Sequence, residues 1–359
     1  MKKVIAFALF TLIICISCSR VAERDFFRFP MTNIEADCTL ESLLIGEDTL
    51  SGVMTADCIV RDSIIIATSQ TDHLFSISGI GGELIGEYCR RGRAGNELLS
   101  ALPLTETYIN GTDIYADIYS PMDTKLFVWN ISKSLSENRD VYESIIRFES
   151  KEKATLQPWM SLYRTDANHI IVYNSMQSGY SDGLVGVPDY QVYDLESGTL
   201  QRQYGLFNAV KKETENQLLS PSTFLTNVDC IKPDRSRLVF GMYFMPVFCI
   251  LDIKSGEARA YRLKGHDGID LQKPHRHFVD IQANDDCIYA LYSGEEMFKE
   301  DGTDVPDQLY VMDWDGHLLC RYSMDRRFSG LSLDGKKLYL THYNGAAAVV
   351  NTDTLKAGL

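Results

Sequence analysis

The chain has 359 residues, 45% of them hydrophobic, with 49 acidic against 35 basic side chains and a formal net charge of −14. That is enough apolar material for a large core, and the acidic balance argues against a nucleic-acid partner, whose phosphates need a basic face. The seven cysteines after residue 18 contain no C-x-x-C pair, which removes the usual local zinc and dithiol patterns.

Lys2 and Lys3 precede an apolar run over residues 4–16, the layout of an export signal and short for a bilayer span. Ser17-Cys18 closes that run with a small residue before cysteine and resembles a lipobox. Residues 1–17 therefore read as a lipoprotein signal peptide, Cys18 as the acylated new N-terminus, and residues 18–30 as an anchor and linker segment. Several acyl chains would hold a soluble domain at a membrane, each buried methylene contributing about 0.8 kcal/mol. A simple secretory signal cut elsewhere is the alternative. Residues 31–359 show no low-complexity run or composition shift and read as one domain.

Along that domain an apolar strand followed by a polar turn-former recurs at residues 74–78, 126–130, 190–194, 248–252, 309–313 and 347–351. Each copy has an upstream partner rich in β-branched and aromatic residues, at 62–68, 112–118, 168–174, 236–242, 286–292 and 336–342. Three copies run into Asp194-Leu-Glu-Ser-Gly198, Asp252-Ile-Lys-Ser-Gly256 and Asp313-Trp-Asp-Gly316, hairpin turns in which Asp bonds the turn backbone and Gly takes the positive φ. The strands that follow are 200–204, 258–263 and 318–322, and candidate inner strands are 224–228 and 278–282. One such unit cannot bury its own apolar face, and six at a spacing of roughly 40–65 residues read as an all-β, six-bladed β-propeller with four-stranded antiparallel blades. The last copy stops at its third strand. Its open edge needs cover, and the N-terminal segment 39–47 is expected to close the ring.

Cys249 and Cys287 fall inside these strands, where a thiol acts as a small buried hydrophobe. Directly after the strand over 83–88, Arg90, Arg91 and Arg93 cluster with Asn96 and Glu97 around two glycines, on a segment that leads toward the axis. The string Tyr88-Cys-Arg-Arg-Gly-Arg-Ala-Gly-Asn-Glu-Leu98 resembles the phrase Tyr-x-Arg-Lys-Gly-Arg-Gly-Pro-Gly-Glu-Phe of TolB-like six-bladed propeller lipoproteins of Bacteroidetes. Arg90, Gly92, Arg93 and Glu97 match, while Ala94 and Gly95 replace the Gly-Pro pair. The resemblance implies a six-bladed propeller at the cell envelope, an outer-membrane lipoprotein facing the periplasm or the cell surface, and says little about chemistry.

Arginine offers a planar fork for carboxylate or phosphate, so the cluster is a candidate anion handle; the competing reading is a structural network closed by Glu97 and backbone carbonyls. His275, Arg276 and His277 precede the inner strand of the fifth unit, with the two histidines on one side of an extended chain, as hydrogen-bonding groups at the channel rim or as half of a metal site. Glu295, Glu296, Asp301, Asp304 and Asp307 form acidic loops for which calcium is the functional alternative to plain solvation; no other cofactor is expected. The insertion over 176–189 could cover a ligand. Trp159 is a candidate stacking platform or, more commonly for all-β folds, packing.

No nucleophile elbow, zincin helix, P-loop or dinucleotide fingerprint occurs. The functional expectation is a monomeric, lipid-anchored binding module that holds a protein segment or a small anionic ligand at its axial mouth. The alternative is a propeller hydrolase or lyase using axial residues, with or without a divalent ion.

Overall fold

The computed structural model describes residues 22–35, 40–43, 45, 50, 57–148, 159–175, 187–208, 221–266, 269–270, 273–297, 307–342 and 345–355. In chain order, two short strands, β1 (Met31–Ile34) and β2 (Leu40–Leu43), come first. Six antiparallel sheets follow. Blade 1 is β3 (Cys58–Arg61), β4 (Ile64–Thr68), β5 (His73–Gly79) and β6 (Leu84–Arg90). Blade 2 is β7 (Tyr108–Asn110), β8 (Asp113–Ser120), β9 (Lys125–Asn130) and β10 (Tyr142–Arg147). Blade 3 is β11 (Trp159–Arg164), β12 (His169–Asn174), β13 (Asp189–Asp194) and β14 (Leu200–Gln203). Blade 4 is β15 (Asn227–Ile231), β16 (Arg237–Met242), β17 (Val247–Asp252) and β18 (Ala258–Leu263). Blade 5 is β19 (His275–Ala283), β20 (Cys287–Glu296), β21 (Gln308–Asp313) and β22 (Leu318–Met324). Blade 6 has three strands among the described residues, β23 (Gly330–Asp334), β24 (Lys337–Thr341) and β25 (Ala347–Asn351). The chain is thus an all-β, six-bladed propeller, and the six recurring anchors are the third strands of its blades.

Those third strands are buried on both faces, which explains their unbroken apolar runs: Val247 through Leu251 are all buried in β17. Blades stack face to face, so each side of a sheet meets a neighbour. Phe248, Phe278, Tyr292 and Tyr310 fill the space between blades 4 and 5, and Gly241 lets the backbones close there. A Cβ on Gly241 would lie 2.6 Å from the Phe278 ring. The hairpins form as their residues dictate. Asp252 Oδ1 accepts the Ser255 N–H at 2.7 Å, and Gly256 has φ +82°.

Inner strands are stitched side by side. Ser332 Oγ on β23 accepts the Val60 N–H of β3 at 2.8 Å, joining the last blade to the first, and Asp334 Oδ2 accepts the Asp62 N–H at 3.0 Å.

The N-terminal segment closes the ring from outside and by a longer route than the sequence suggests. Phe27 bridges Phe207 beside blade 3; β1 adds in parallel to β18 of blade 4; β2 adds in parallel to β22 of blade 5; Leu50 exchanges backbone bonds with Ala347 of blade 6 at 3.1 and 3.0 Å. The strand within 39–47 therefore lies on the fifth blade and not the sixth, whose edge is met by Leu50. A parallel ladder needs only a free edge, and β22 offers one as fully as β25 does.

One element is added to the sequence reading and one is corrected. Helix α1 (Ile131–Glu137) interrupts blade 2 between its third and fourth strands, because Asn130 Oδ1 caps the Lys133 N–H at 2.8 Å and Asn138 ends the turn in the left-handed region. The inner strand of blade 4 begins at Asn227, since residues 221–225 form a 3-10 turn that buries Phe224 and Leu225.

Candidate functional site

A cavity of about 260 Å³ lies on the axis and draws lining residues from all six blades, among them Ile59, Leu104, Ser161, Asp229, Asp280 and Leu331. It opens where the inner strands begin, at exposed Asp57 and Met160. Three of its lining side chains are carboxylates, Asp57, Asp229 and Asp280, and none is Lys, Arg or His.

Asp229 sits mid-strand in β15 and gathers hydroxyl donors from blade 3. Ser161 Oγ donates to its Oδ2 at 2.5 Å, Tyr190 to Oδ2 at 2.7 Å and Tyr163 to Oδ1 at 2.9 Å. Burial raises its pKa, and the hydroxyl bonds oppose that rise. Asp280 Oδ2 accepts the Leu331 N–H at 2.6 Å and Oδ1 the Ile281 N–H at 2.7 Å. Its side chain keeps a little surface open to the cavity, yet protein surrounds it on every side. That desolvation, reinforced by the negative charges of Asp57 and Asp229 and resisted by the two amide bonds, pushes its carboxyl up to about 7.

Directly after cavity-lining Thr105, Glu106 of blade 2 pairs with Arg235 of blade 4 and accepts the Arg164 N–H at 2.8 Å. Arg164 in turn pairs with Asp117 at 2.6 Å and lies over the Tyr108 ring. These charges knit three blades together.

None of the nine side chains singled out by sequence lines this cavity. Arg91 donates to the carbonyls of Ser69 at 2.9 Å and Thr71 at 3.0 Å, while Arg90 pairs with Glu97 at 3.8 Å. Glu97 also accepts the Ala94 N–H at 3.0 Å, and Arg93 and Asn96 are exposed. The loop is thus closed largely on itself, outside the axis. Trp159 is buried against Tyr119, Phe148 and Tyr193 at ring distances of 4.1, 5.1 and 5.0 Å. His277 is buried between blades 4 and 5, its Nδ1 2.7 Å from the Tyr292 hydroxyl. Burial first, then neighbouring His275, His266 and Arg262, drives its pKa down to about 3. The His275 ring lies 6.2 Å from it. Arg276 and Arg327 share Glu295 Oε2 at 3.6 and 3.0 Å, and buried Asp307 accepts the Phe328 N–H. Among the described residues, no group of three or more His, Cys, Asp or Glu is arranged to hold a metal ion, and the six cysteines form no disulfide. Cys18, Asp301, Asp304 and residues 176–186 lie outside the described residues.

Sequence reasoning missed the axial aspartates. Their signal was an acid recurring within or just before otherwise apolar inner strands: Asp57-Cys58-Ile59, Asp229-Cys230-Ile231 and Asp280-Ile281.

A family profile described as TolB-like 6-blade propeller-like matches residues 263–336, about one fifth of the chain. Among solved structures, a member of the DUF4221 family from Bacteroides vulgatus is similar at TM-score 0.54 and 11% identity, over 92% of this chain and 96% of that one. A protein from Bacteroides fragilis gives TM-score 0.48 at 7% identity, over 89% and 98% of the two chains. BamB from Moraxella catarrhalis gives 0.38 at 12%, over 85% and 86%. The first of these likenesses carries the fold and nothing finer. A comparison with curated protein sequences finds no match.

Proposed function

We propose that the protein is a binding module that takes a cationic group of its ligand into the axial cavity, and that Cys18 anchors it at a bacterial cell envelope. The observation that carries this reading is the cavity itself: six blades contribute to one concave site, as ligand pockets on rigid scaffolds do. Its charge refines the ligand. Three carboxylates without a basic partner favour an amine or guanidinium, from a protein segment or a small molecule, over the anion that the arginine loop suggested. The leader pattern of residues 1–18 supports export and anchoring.

Titration calorimetry with spermidine and with a lysine-rich peptide tests the binding role. Saturable heat that drops at least about tenfold in affinity with Asp57→Asn is expected. Absence of binding by both ligands at pH 8, with the fold intact by circular dichroism, would sink this reading.

A hydrolase or lyase is the second reading, and Asp280 favours it. A carboxyl poised near neutral pH beside a second carboxylate suits general acid–base work. It requires turnover that follows an ionisation near pH 7 and disappears in Asp280→Asn.

A further inference from the structure

Where the chain joins the fold it has no slack. Phe26 is 1% exposed, its ring 6.3 Å from that of Phe224, which leads directly into β15. Phe27 is buried against Phe207. Glu23 Oε1 accepts from Arg262 Nε at 3.0 Å, with both side chains mostly buried. Asn208 Nδ2 donates to the carbonyls of Asp25 at 2.9 Å and Phe27 at 3.1 Å. Ala22 is the fourth residue after Cys18, and four extended residues span at most about 14 Å.

We propose that the face on which the axial cavity opens lies against the lipid bilayer, with the rim between blades 3 and 4 as the point of closest contact. The inference rests on the anchored reading of Cys18 above and adds an orientation to it. An acyl group on Cys18 holds Ala22 within about 14 Å of the membrane. The Phe26–Phe224 contact puts this junction on the mouth side, since Phe224 lies three residues before cavity-lining Asn227. Met122 and Met160, 62% and 57% exposed, project on the same side: Met122 in the turn between β8 and β9, Met160 at the cavity rim. Polarisable thioethers suit an interfacial zone. A ligand then reaches the cavity along the membrane surface.

The test uses the full lipidated protein in vesicles of phosphatidylethanolamine and phosphatidylglycerol. A charged, membrane-impermeant chloramine oxidises exposed methionines, and an acetylating reagent reports Lys254 and Lys337 at the opposite end. The comparison is a variant with about twelve Gly/Ser residues inserted between Val21 and Ala22, which frees the orientation and keeps the anchor. Met122 and Met160 are expected to oxidise at least about threefold more slowly in the native chain than in the linker variant, with both lysines unchanged. Equal methionine rates on an acylated Cys18 would overturn the orientation and leave the anchor standing. An intact mass without acyl groups at Cys18 would overturn both.

Discussion

Asp280 on the inner strand of blade 5 accepts the backbone N–H of Leu331 on the inner strand of blade 6 at 2.6 Å. One side chain therefore ties two blades together and sets a carboxyl, raised to about 7, inside the cavity. Between the ordinary carboxylate value and about 7, the folded protein holds a proton there that the unfolded chain has lost. Stability must fall as pH rises through that window. From pH 5 to pH 8 the loss at this group is on the order of 2–3 kcal/mol. Urea unfolding at both pH values should show it, and Asp280→Asn should flatten the slope by that amount. An unchanged slope in the variant would assign the dependence to other carboxyls.

Trp159 packs on three aromatic rings between blades 2 and 3. Trp159→Ala should cost about 3–5 kcal/mol and lower Tm sharply, as a large buried ring leaves a cavity behind. Spermidine affinity measured below the transition should hardly change, because the indole is not part of the axial lining.

Arg91 and Arg93 are two positions apart and differ in role. The first donates to two backbone carbonyls, the second projects into solvent. Arg91→Ala should destabilise by about 1–2 kcal/mol in denaturant titrations, and Arg93→Ala should stay within about 0.5 kcal/mol of the parent. Equal effects would mean that the loop is not closed on the Ser69–Thr71 carbonyls.

Ser332 Oγ satisfies the buried Val60 N–H where the last blade meets the first. Ser332→Ala leaves that donor unpaired and should cost about 1–3 kcal/mol. Hydrogen exchange at the Val60 amide should rise more than exchange at amides of blade 3, which a general loosening would move equally.

Blade by blade, the third strands and their Asp-to-Gly hairpins were legible because each obeys local rules. A run such as Val247–Leu251 can be buried on both sides only in a stacked sheet, and Gly256 marks the left-handed turn that ends it. Helix α1 was legible in principle from Asn130 and the polar run behind it. The candidate site was hardly legible. Arg90, Arg91 and Arg93 stand out in a string of letters, but Arg90 pairs with Glu97, Arg91 bonds carbonyls brought from another turn, and Arg93 faces solvent.

The amino-acid order alone determined the all-β class, the six repeats and the hairpin positions, because strand periodicity and turn chemistry act over a few neighbouring residues. Only the closed ring decided where the N-terminal strands dock and which side chains meet on the axis. A blade edge accepts any extended segment through backbone bonds that carry no residue identity. Asp57, Asp229 and Asp280 come together from segments more than two hundred residues apart at the extremes, and it is the desolvation of Asp280 in the closed ring, reinforced by the charges of Asp57 and Asp229, that pushes its carboxyl up to about 7.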